Sequence, residues 1–286
     1  MFVFFLSNTP QKLSTGGVLS APVWNEETKK YTGFLDMRDL VSSVVFIAEH
    51  ASTAKTRTLA DLFVNAKWVG GAFTVTYLSR RNPFRSVKTS DSLAVVLELL
   101  AKKGPGRIKR VAVVNDEGVV VNIVSQTTLV SFLSTLLAQH SLYLGRSVEE
   151  LHLGSSPVLC IADSAPAIEA FKMMDSKQVT GLGIVDSHGK LVGNVSARDL
   201  KIFVKHIDFE LLAQPIGEFV KHLRQVAIDI KSPTISVFPS AKFEMVVGKL
   251  AATKVHRIFV VDDETHFRPV RVISLADVLN AVLKKE

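Results

Sequence analysis

The chain repeats one pattern of apolar and polar residues four times, and this repeat limits the possible folds more than any other feature of the sequence. In each copy an apolar run is followed by a polar turn, a second apolar run, a short polar box and an amphipathic segment. The copies begin near residues 18, 108, 179 and 254, and the last reads KVHRIFVVDDETHFRPVRVISLADVL. A recurring period of this kind is typical of folds built by repeating one supersecondary unit.

Helix-like segments precede three of the copies. Residues 92–103, 165–177 and 242–254 place apolar side chains at i, i+3 and i+4, and each segment follows a short extended run. The turns at residues 115–118 and 186–189 both end in glycine, which accepts the positive φ of tight hairpin turns. The complete unit is therefore predicted to run strand, helix, strand, strand, helix over roughly 60 residues.

Four such units account for the whole chain. The predicted divisions are residues 1–48 (repeat 1), 49–140 (a connector and repeat 2), 141–206 (repeat 3) and 207–286 (repeat 4). Repeat 1 is predicted to be incomplete, because the residues before Val18 leave no room for a leading strand. The segment MFVFFLSN is a candidate remnant of its leading helix. Either the chain is a shortened form, or the first unit is incomplete as encoded.

The composition favours a folded protein. Apolar residues make up 47% of the chain and the mean hydropathy is +0.27, which argues against disorder. No apolar run reaches the ~18 residues that span a bilayer, and the first residues lack the marks of a signal peptide. We therefore expect a soluble intracellular protein of the cytoplasm, the nucleus or both. The single cysteine, Cys160, cannot form an intramolecular disulfide and is expected to be an inert thiol.

The repeat pattern resembles the CBS domain, named after cystathionine β-synthase, over essentially the whole chain. This resemblance implies an α+β fold in which four β-α-β-β-α repeats, the first truncated, form two pseudo-two-fold modules with ligand clefts between paired copies. The segments SAPVWNEETKKYTGFLDMRDLV and VHRIFVVDDE…VISLADVL are similar to the first and fourth repeats of the gamma regulatory subunits of AMP-activated protein kinase. That similarity implies AMP, ADP or ATP as ligands, and as partners a catalytic alpha-type kinase subunit and a beta-type scaffold.

The polar box after each second strand is the candidate ribose site. One carboxylate can accept a hydrogen bond from each of the two adjacent ribose hydroxyls, and a nearby serine can assist. The spacing Ser-x-x-Asp at a helix start is also that of a capping box, so a purely structural role stays open. The second box, Ser125–Thr128, has no acid, and the kinase gamma family also lacks the acid in its second repeat. The candidate ribose-binding residues are Asp277, Ser274, Asp199, Ser196 and Asp39.

Two basic pairs precede the first strand of a hairpin and are the candidate phosphate site. The pairs are His256-Arg257 and Lys109-Arg110, at positions where the gamma family contacts phosphate. The planar fork of arginine binds two phosphate oxygens at once, and histidine adds a hydrogen bond or a charge. The alternative is a pair of solvated surface cations.

The basic set departs from the gamma family at three positions. Leu19 stands where that family has an arginine, Thr127 replaces a lysine, and Lys109 replaces a histidine. Two further cations, Arg38 and Arg198, lie beside box acids. They either compensate for the missing phosphate contacts or pair with those acids, and the sequence leaves both possibilities open.

Other classes of function find less support in the sequence. The histidines and the single cysteine do not have metal-ligand spacing, and neither a nucleophile elbow nor a phosphate-binding Gly-Lys-Ser/Thr loop is present. We therefore expect no enzyme activity, no metal and no cofactor. The net charge of +7 permits nucleic-acid binding, but no stripe of alternating aromatic and basic residues supports it. The main alternative to nucleotide sensing is a CBS-domain scaffold or interaction protein whose clefts are empty or hold another ligand.

Overall fold

A computed structural model describes residues 20–50, 78–104, 107–139, 145–200, 209–226 and 234–284. The candidate remnant helix at residues 1–8 and Leu19 lie outside these residues. Within the described ranges, no helix is both long enough and apolar enough to cross a bilayer.

In repeats 2 and 4 the order of helices and strands is that of the predicted unit. The residues before β1 of repeat 1, and most of the helix predicted to close repeat 3, lie outside the described ranges. Repeat 1 contributes β1 (Ser20–Asn25), β2 (Lys30–Asp36) and α1 (Met37–His50). Repeat 2 contributes β3 (Ser86–Lys88), α2 (Leu93–Ala101), β4 (Arg110–Val114), β5 (Val120–Ser125) and α3 (Gln126–Gln139). Repeat 3 contributes β6 (Cys160–Ala162), α4 (Ala167–Ser176), β7 (Gly181–Val185) and β8 (Leu191–Ser196). Repeat 4 contributes β9 (Ser236–Val237), α7 (Phe243–Thr253), β10 (Arg257–Val261), β11 (Pro269–Ser274) and α8 (Leu275–Leu283), after the connecting helices α5 (Phe209–Ala213) and α6 (Ile216–Val226).

Repeats 2 and 4 have the same sheet topology. In each, the short leading strand pairs in parallel with the first hairpin strand, which pairs antiparallel with the second. Both hairpins have a register shift at the same place, between Val113 and Val114 and between Val260 and Val261. The two repeats therefore form the same local hairpin geometry, because a bulge changes the twist of its strand at a defined position. The third repeat orders its strands β6-β7-β8 in the same way.

The glycine turns confirm the prediction of positive φ. Gly118 has a φ of 75° and Gly189 a φ of 79°, a region that other residues enter only with strain. In the first of these turns the Asn115 side chain also accepts a hydrogen bond from Val119 N at 2.8 Å.

The described residues divide into two compact units that interleave along the chain. The first unit takes in described residues of Met1–Phe84, Cys160–Ser187 and Val192–Lys231, and therefore holds the strands and helices of repeats 1 and 3 together with the connecting helices α5 and α6. The second unit takes in those of Arg85–Leu159, His188–Leu191 and Ser232–Glu286, and holds strands β3 to β5 and β9 to β11 with helices α2, α3, α7 and α8, from repeats 2 and 4. Each unit thus combines repeats that are not neighbours in sequence.

Each unit buries helices from both of its repeats. In the second unit α7 packs against α3, and α8 packs against α2 and α3. Helix α7 buries Phe243, Val246, Val247 and Leu250, which is the i, i+3, i+4, i+7 spacing of one helix face. In the first unit α1 packs against α4, and the Phe171 ring of α4 meets Phe219 of α6 edge to face at 5.8 Å.

Candidate functional site

Each polar box lies where the second hairpin strand ends, as the sequence predicts. Ser274 is the last residue of β11 and the N-cap of α8, and Ser125 ends β5 directly before α3. Asp36 ends β2 directly before α1, and Ser196 ends β8. Side chains at such positions satisfy backbone N–H groups that the first helical turn leaves without partners.

The fourth box is a complete capping box. Ser274 Oγ accepts a hydrogen bond from Asp277 N at 3.3 Å, and Asp277 Oδ2 accepts one from Ser274 N at 2.7 Å. Ser274 Oγ also donates a hydrogen bond to the same Oδ2, at 2.5 Å. The other carboxylate oxygen, Oδ1, forms an ion pair with Lys103, which follows helix α2 of the second repeat. Asp277 is only 5% exposed, so both of its oxygens are held inside the second unit.

The third box has the same acid geometry. Asp199 Oδ2 accepts hydrogen bonds from Ser196 N at 2.6 Å and Ser196 Oγ at 3.0 Å. In the described part of the chain, both hydrogen bonds to this carboxylate end on Oδ2. Burial raises the pKa of Asp199, against the opposing effects of the Ser196 hydrogen bonds and of the charges on Arg224 and Arg198. Arg198 is exposed and acts on this acid electrostatically.

The first box buries two acids together. Asp39 is 1% exposed, and its Oδ2 accepts hydrogen bonds from Asp36 N at 2.8 Å and Asn82 Nδ2 at 3.1 Å. Burial, and after it the neighbouring Asp36 charge, raises the pKa of Asp39 to about 7. Asp36 itself accepts a hydrogen bond from Arg38 N at 2.7 Å.

Arg38 lies inside this network of the first unit. Its guanidinium is 4.0 Å from Asp36 Oδ2 and donates to Asn82 Oδ1 at 3.0 Å and Gln178 Oε1 at 3.4 Å. Of the two possibilities left open by the sequence, pairing with a box acid is the one that the geometry favours, although the partner is Asp36 rather than Asp39.

The second box replaces the acid with a hydroxyl pair. Ser125 Oγ accepts a hydrogen bond from Thr128 N at 3.2 Å, and the two hydroxyl oxygens lie 2.9 Å apart. Gln126 donates through Nε2 to the carbonyl of Leu100 at 2.8 Å, which ties this box to the end of helix α2. The box caps its helix without placing a carboxylate there.

The two basic pairs lie beside the boxes of their own repeats. Arg257 begins β10 and is the cross-strand partner of Ser274, and Arg110 begins β4 opposite Ser125. The preceding residues accept hydrogen bonds through their carbonyls, His256 from Leu275 N at 3.3 Å and Lys109 from Gln126 N at 3.0 Å. All four basic residues are half-buried. The second unit therefore brings both pairs, Ser274 and Asp277 into one compact body.

The other two repeats have no such pair at the matching positions. In the third repeat, Thr180 O accepts from Ala197 N at 3.1 Å, so Thr180 occupies the place of Lys109 and His256. In the first repeat, Ser20 is the partner of Asp36 in the strand register. The boxes of the third and first repeats lie in the first unit and have no adjoining basic pair. They contain Asp199, Ser196 and Asp39.

Sequence reasoning missed three residues that contact the box acids. Lys103 and Asn82 come from segments far from the boxes they contact, and no local pattern marks them. Asp36 is the first residue of its box and stands where the other boxes have a serine. That match could have predicted its contact with the acid at the end of the box.

Comparisons with known proteins identify the repeated unit. A family model for the CBS domain matches residues 76–135, 148–206 and 224–284. Subunit gamma-3 of the 5'-AMP-activated protein kinase of Sus scrofa is 26% identical over 284 residues, which cover 95% of this chain and 51% of that protein. Protein SDS23 of Scheffersomyces stipitis is 28% identical over 228 residues, which cover 76% of this chain and 42% of that protein. The chain thus spans about half or less of the length of these relatives.

The fold has a solved counterpart. Protein MJ1225 of Methanocaldococcus jannaschii, proposed as an archaeal homologue of the AMP-activated kinase gamma subunit, superposes with a TM-score of 0.70 at 14% identity. The superposition covers 99% of this chain and 96% of that one. An identity this low supports the fold alone. Because the family model covers more than half of the residues and the overall fold agrees, the chain belongs to the CBS-domain family.

Proposed function

We propose that this protein is a non-catalytic regulatory subunit that binds adenine nucleotide and belongs to a complex of the AMP-activated protein kinase type. The observation that carries the proposal is the fourth box, where the buried acid Asp277 lies in the first turn of α8 and the adjoining strand β10 begins at Arg257, directly after His256. The relative named as an AMP-activated kinase gamma subunit, which aligns over 95% of this chain, supports it.

The chemistry of the fourth box suits a nucleoside phosphate. A carboxylate accepts hydrogen bonds from both ribose hydroxyls, and a helix N-terminus with adjacent cations favours an anion. Asp277 with Ser274 would hold the ribose, and Arg257 and His256 would hold the phosphate. Arg110 and Lys109 would extend the phosphate site in the same unit, and Asp199, Ser196 and Asp39 would form further ribose sites.

Regulation would follow from unequal binding. A nucleotide that binds two arrangements of the protein with different affinity shifts the balance between them, and a bound partner responds to that shift. The proposed partners are a kinase catalytic subunit of the alpha type and a beta-type scaffold subunit.

Isothermal titration of the full chain with AMP, ADP and ATP tests the proposal. We expect Asp277→Asn to weaken binding at the fourth box by roughly 10- to 100-fold, which is the contribution of one charge-assisted hydrogen bond. Asn keeps an acceptor for Ser274 N, so the helix cap survives. Asp116→Asn, which removes an exposed turn acid, is the matched control and should bind like the wild type. Identical heats for wild type and Asp277→Asn would reject the site.

A second candidate function is a CBS scaffold without a nucleotide. The observation that favours it is that both oxygens of Asp277 and the carboxylate of Asp39 already have partners inside the protein. This alternative predicts no thermal shift with any adenine nucleotide, whereas a ligand at 100 times its dissociation constant adds about 2.7 kcal/mol to the free energy of unfolding.

A further inference from the structure

Lys103 occupies the carboxylate oxygen of Asp277 that a ribose would need. Ser274 holds Oδ2 through its N–H and hydroxyl groups, and the Lys103 ammonium holds Oδ1. Because Oδ2 already accepts two hydrogen bonds from Ser274, Oδ1 is the oxygen that remains for a ribose hydroxyl, and a diol that binds there competes with Lys103. We propose that Lys103 is a built-in competitor that closes the fourth box, an inference that rests on the proposed nucleotide-binding function.

Helix packing places Lys103 beside Asp277. Helix α2 packs against α8, and Lys103 follows the end of α2 by two residues. The carbonyl of Leu100, near that end, accepts the hydrogen bond from Gln126 of the second box. The end of α2 therefore contacts the second box through Leu100 and the fourth box through Lys103, and both contacts lie within the second unit.

The burial of Asp277 and the exposure of Lys103 allow their ion pair to form and break reversibly. Asp277 is 5% exposed, and a buried carboxylate without a partner is costly, so the unliganded protein needs a cation there. The Lys103 side chain is 47% exposed, so water can solvate its ammonium once it leaves. The N-terminus of α8 carries the positive end of the helix dipole and disfavours a cation, so the ammonium is held by Asp277 against that dipole.

The inference extends to the role of the second repeat. Its box carries no acid, because Thr128 stands in the acidic position, but the repeat supplies the lysine that controls the acid of the fourth repeat. Ligand binding at the fourth box would release Lys103 and so loosen one contact between α2 and α8.

Titration of the full chain with AMP tests the competition, using Lys103→Met and the neighbouring Lys102→Met. Both variants lose one exposed lysine, and in the described residues Lys102 makes no ion pair. We expect Lys103→Met to bind AMP about 3- to 30-fold more tightly than the wild type, and Lys102→Met to stay within about twofold. In the Asp277→Asn background the Lys103→Met effect should disappear, which assigns it to the fourth box. Lys103→Gln repeats the test if the methionine variant fails to fold.

The outcomes separate the two proposals. Tighter binding by Lys103→Met that depends on Asp277 supports the competitor. If the wild type binds AMP and Lys103→Met binds equally well or more weakly, Lys103 is not a competitor, while nucleotide binding stands. If neither protein binds AMP, ADP or ATP, the proposed function fails and the inference fails with it.

Discussion

At the residue scale, the first box contains a titratable pair that the fold buries. Asp39 is 1% exposed and lies beside Asp36, and burial together with that neighbour raises its pKa to about 7. Arg81 and Arg38 oppose this shift without cancelling it. An acid in this environment holds its proton at pH values where aspartate in an unfolded chain is ionised.

We predict that Asp39 lowers stability as the pH rises from about 4 to about 7. In that interval the folded protein retains the proton and the unfolded chain releases it, so the free energy of unfolding falls with pH. The loss should be complete above pH 7 and on the order of 2–4 kcal/mol, since one pKa unit corresponds to about 1.4 kcal/mol. Urea unfolding at pH 5 and pH 8 measures it, and Asp39→Asn should remove most of the difference.

The control for this prediction is Asp116→Asn in the exposed turn of the second hairpin. This variant should keep the pH dependence of the wild type. An Asp39→Asn protein that loses as much stability between pH 5 and pH 8 as the wild type would show that another group is responsible. Asp199 is the first candidate, because burial raises its pKa in the same direction.

The sequence predicted the residues of the boxes but not their partners. The spacing Ser-x-x-Asp defines a cap within one helical turn, so the contact between Ser274 and Asp277 is local and readable from the chain. The contacts of Lys103 with Asp277 and of Asn82 with Asp39 join positions far apart in sequence. Such contacts depend on how the helices and connections pack, and no local pattern encodes them.

At the element scale, strand β2 is packed closely against the segment that leads into the second repeat. Phe34 N donates to Asn82 O at 2.8 Å, and Gly33 forms an isolated antiparallel bridge with Pro83. Residues 82–83 thereby bond to backbone groups on the side of β2 that does not face β1. This contact covers the free edge of β2 and limits its pairing with other chains. The approach is close enough to require glycine at position 33.

We predict that Gly33→Ala destabilises the first unit by more than about 2 kcal/mol, because the new methyl group overpacks a site lined by backbone. A Cβ at this position would lie 2.0 Å from Ser79 O and 2.6 Å from Asn82 O, and backbone atoms cannot move aside as a side-chain end can. Thermal and urea unfolding of the variant measure the loss.

The matched control is Gly248→Ala in the middle of helix α7. A Cβ there meets no atom within 4 Å, and alanine favours the helix, so this variant should gain about 0.5–1 kcal/mol. Equal effects of the two substitutions would contradict the close approach at Gly33.

At the scale of the whole molecule, neighbouring repeats in the chain fall into different compact units. The sequence predicted four repeats and their order, because strand and helix patterns are local. It did not predict that repeat 1 shares a unit with repeat 3, or repeat 2 with repeat 4. The helical segments at residues 92–103, 165–177 and 242–254 have the same apolar spacing, so the periodicity alone does not specify which helices pack together.

This interleaving predicts that the two halves of the chain, residues 1–144 and 145–286, are poorly folded when separated. Division of the chain after residue 144 separates α3 from α7 and α2 from α8 in the second unit, and α1 from α4 in the first unit. It exposes core side chains such as Phe243, Leu250 and Leu100, each worth about 1.5–3 kcal/mol when buried. We expect each half alone to aggregate or self-associate, and an equimolar mixture refolded together to form a one-to-one complex, as measured by light scattering and circular dichroism. Two monomeric halves that each unfold cooperatively at the midpoint of the whole chain would mean that the contacts between repeats of one unit contribute little to stability.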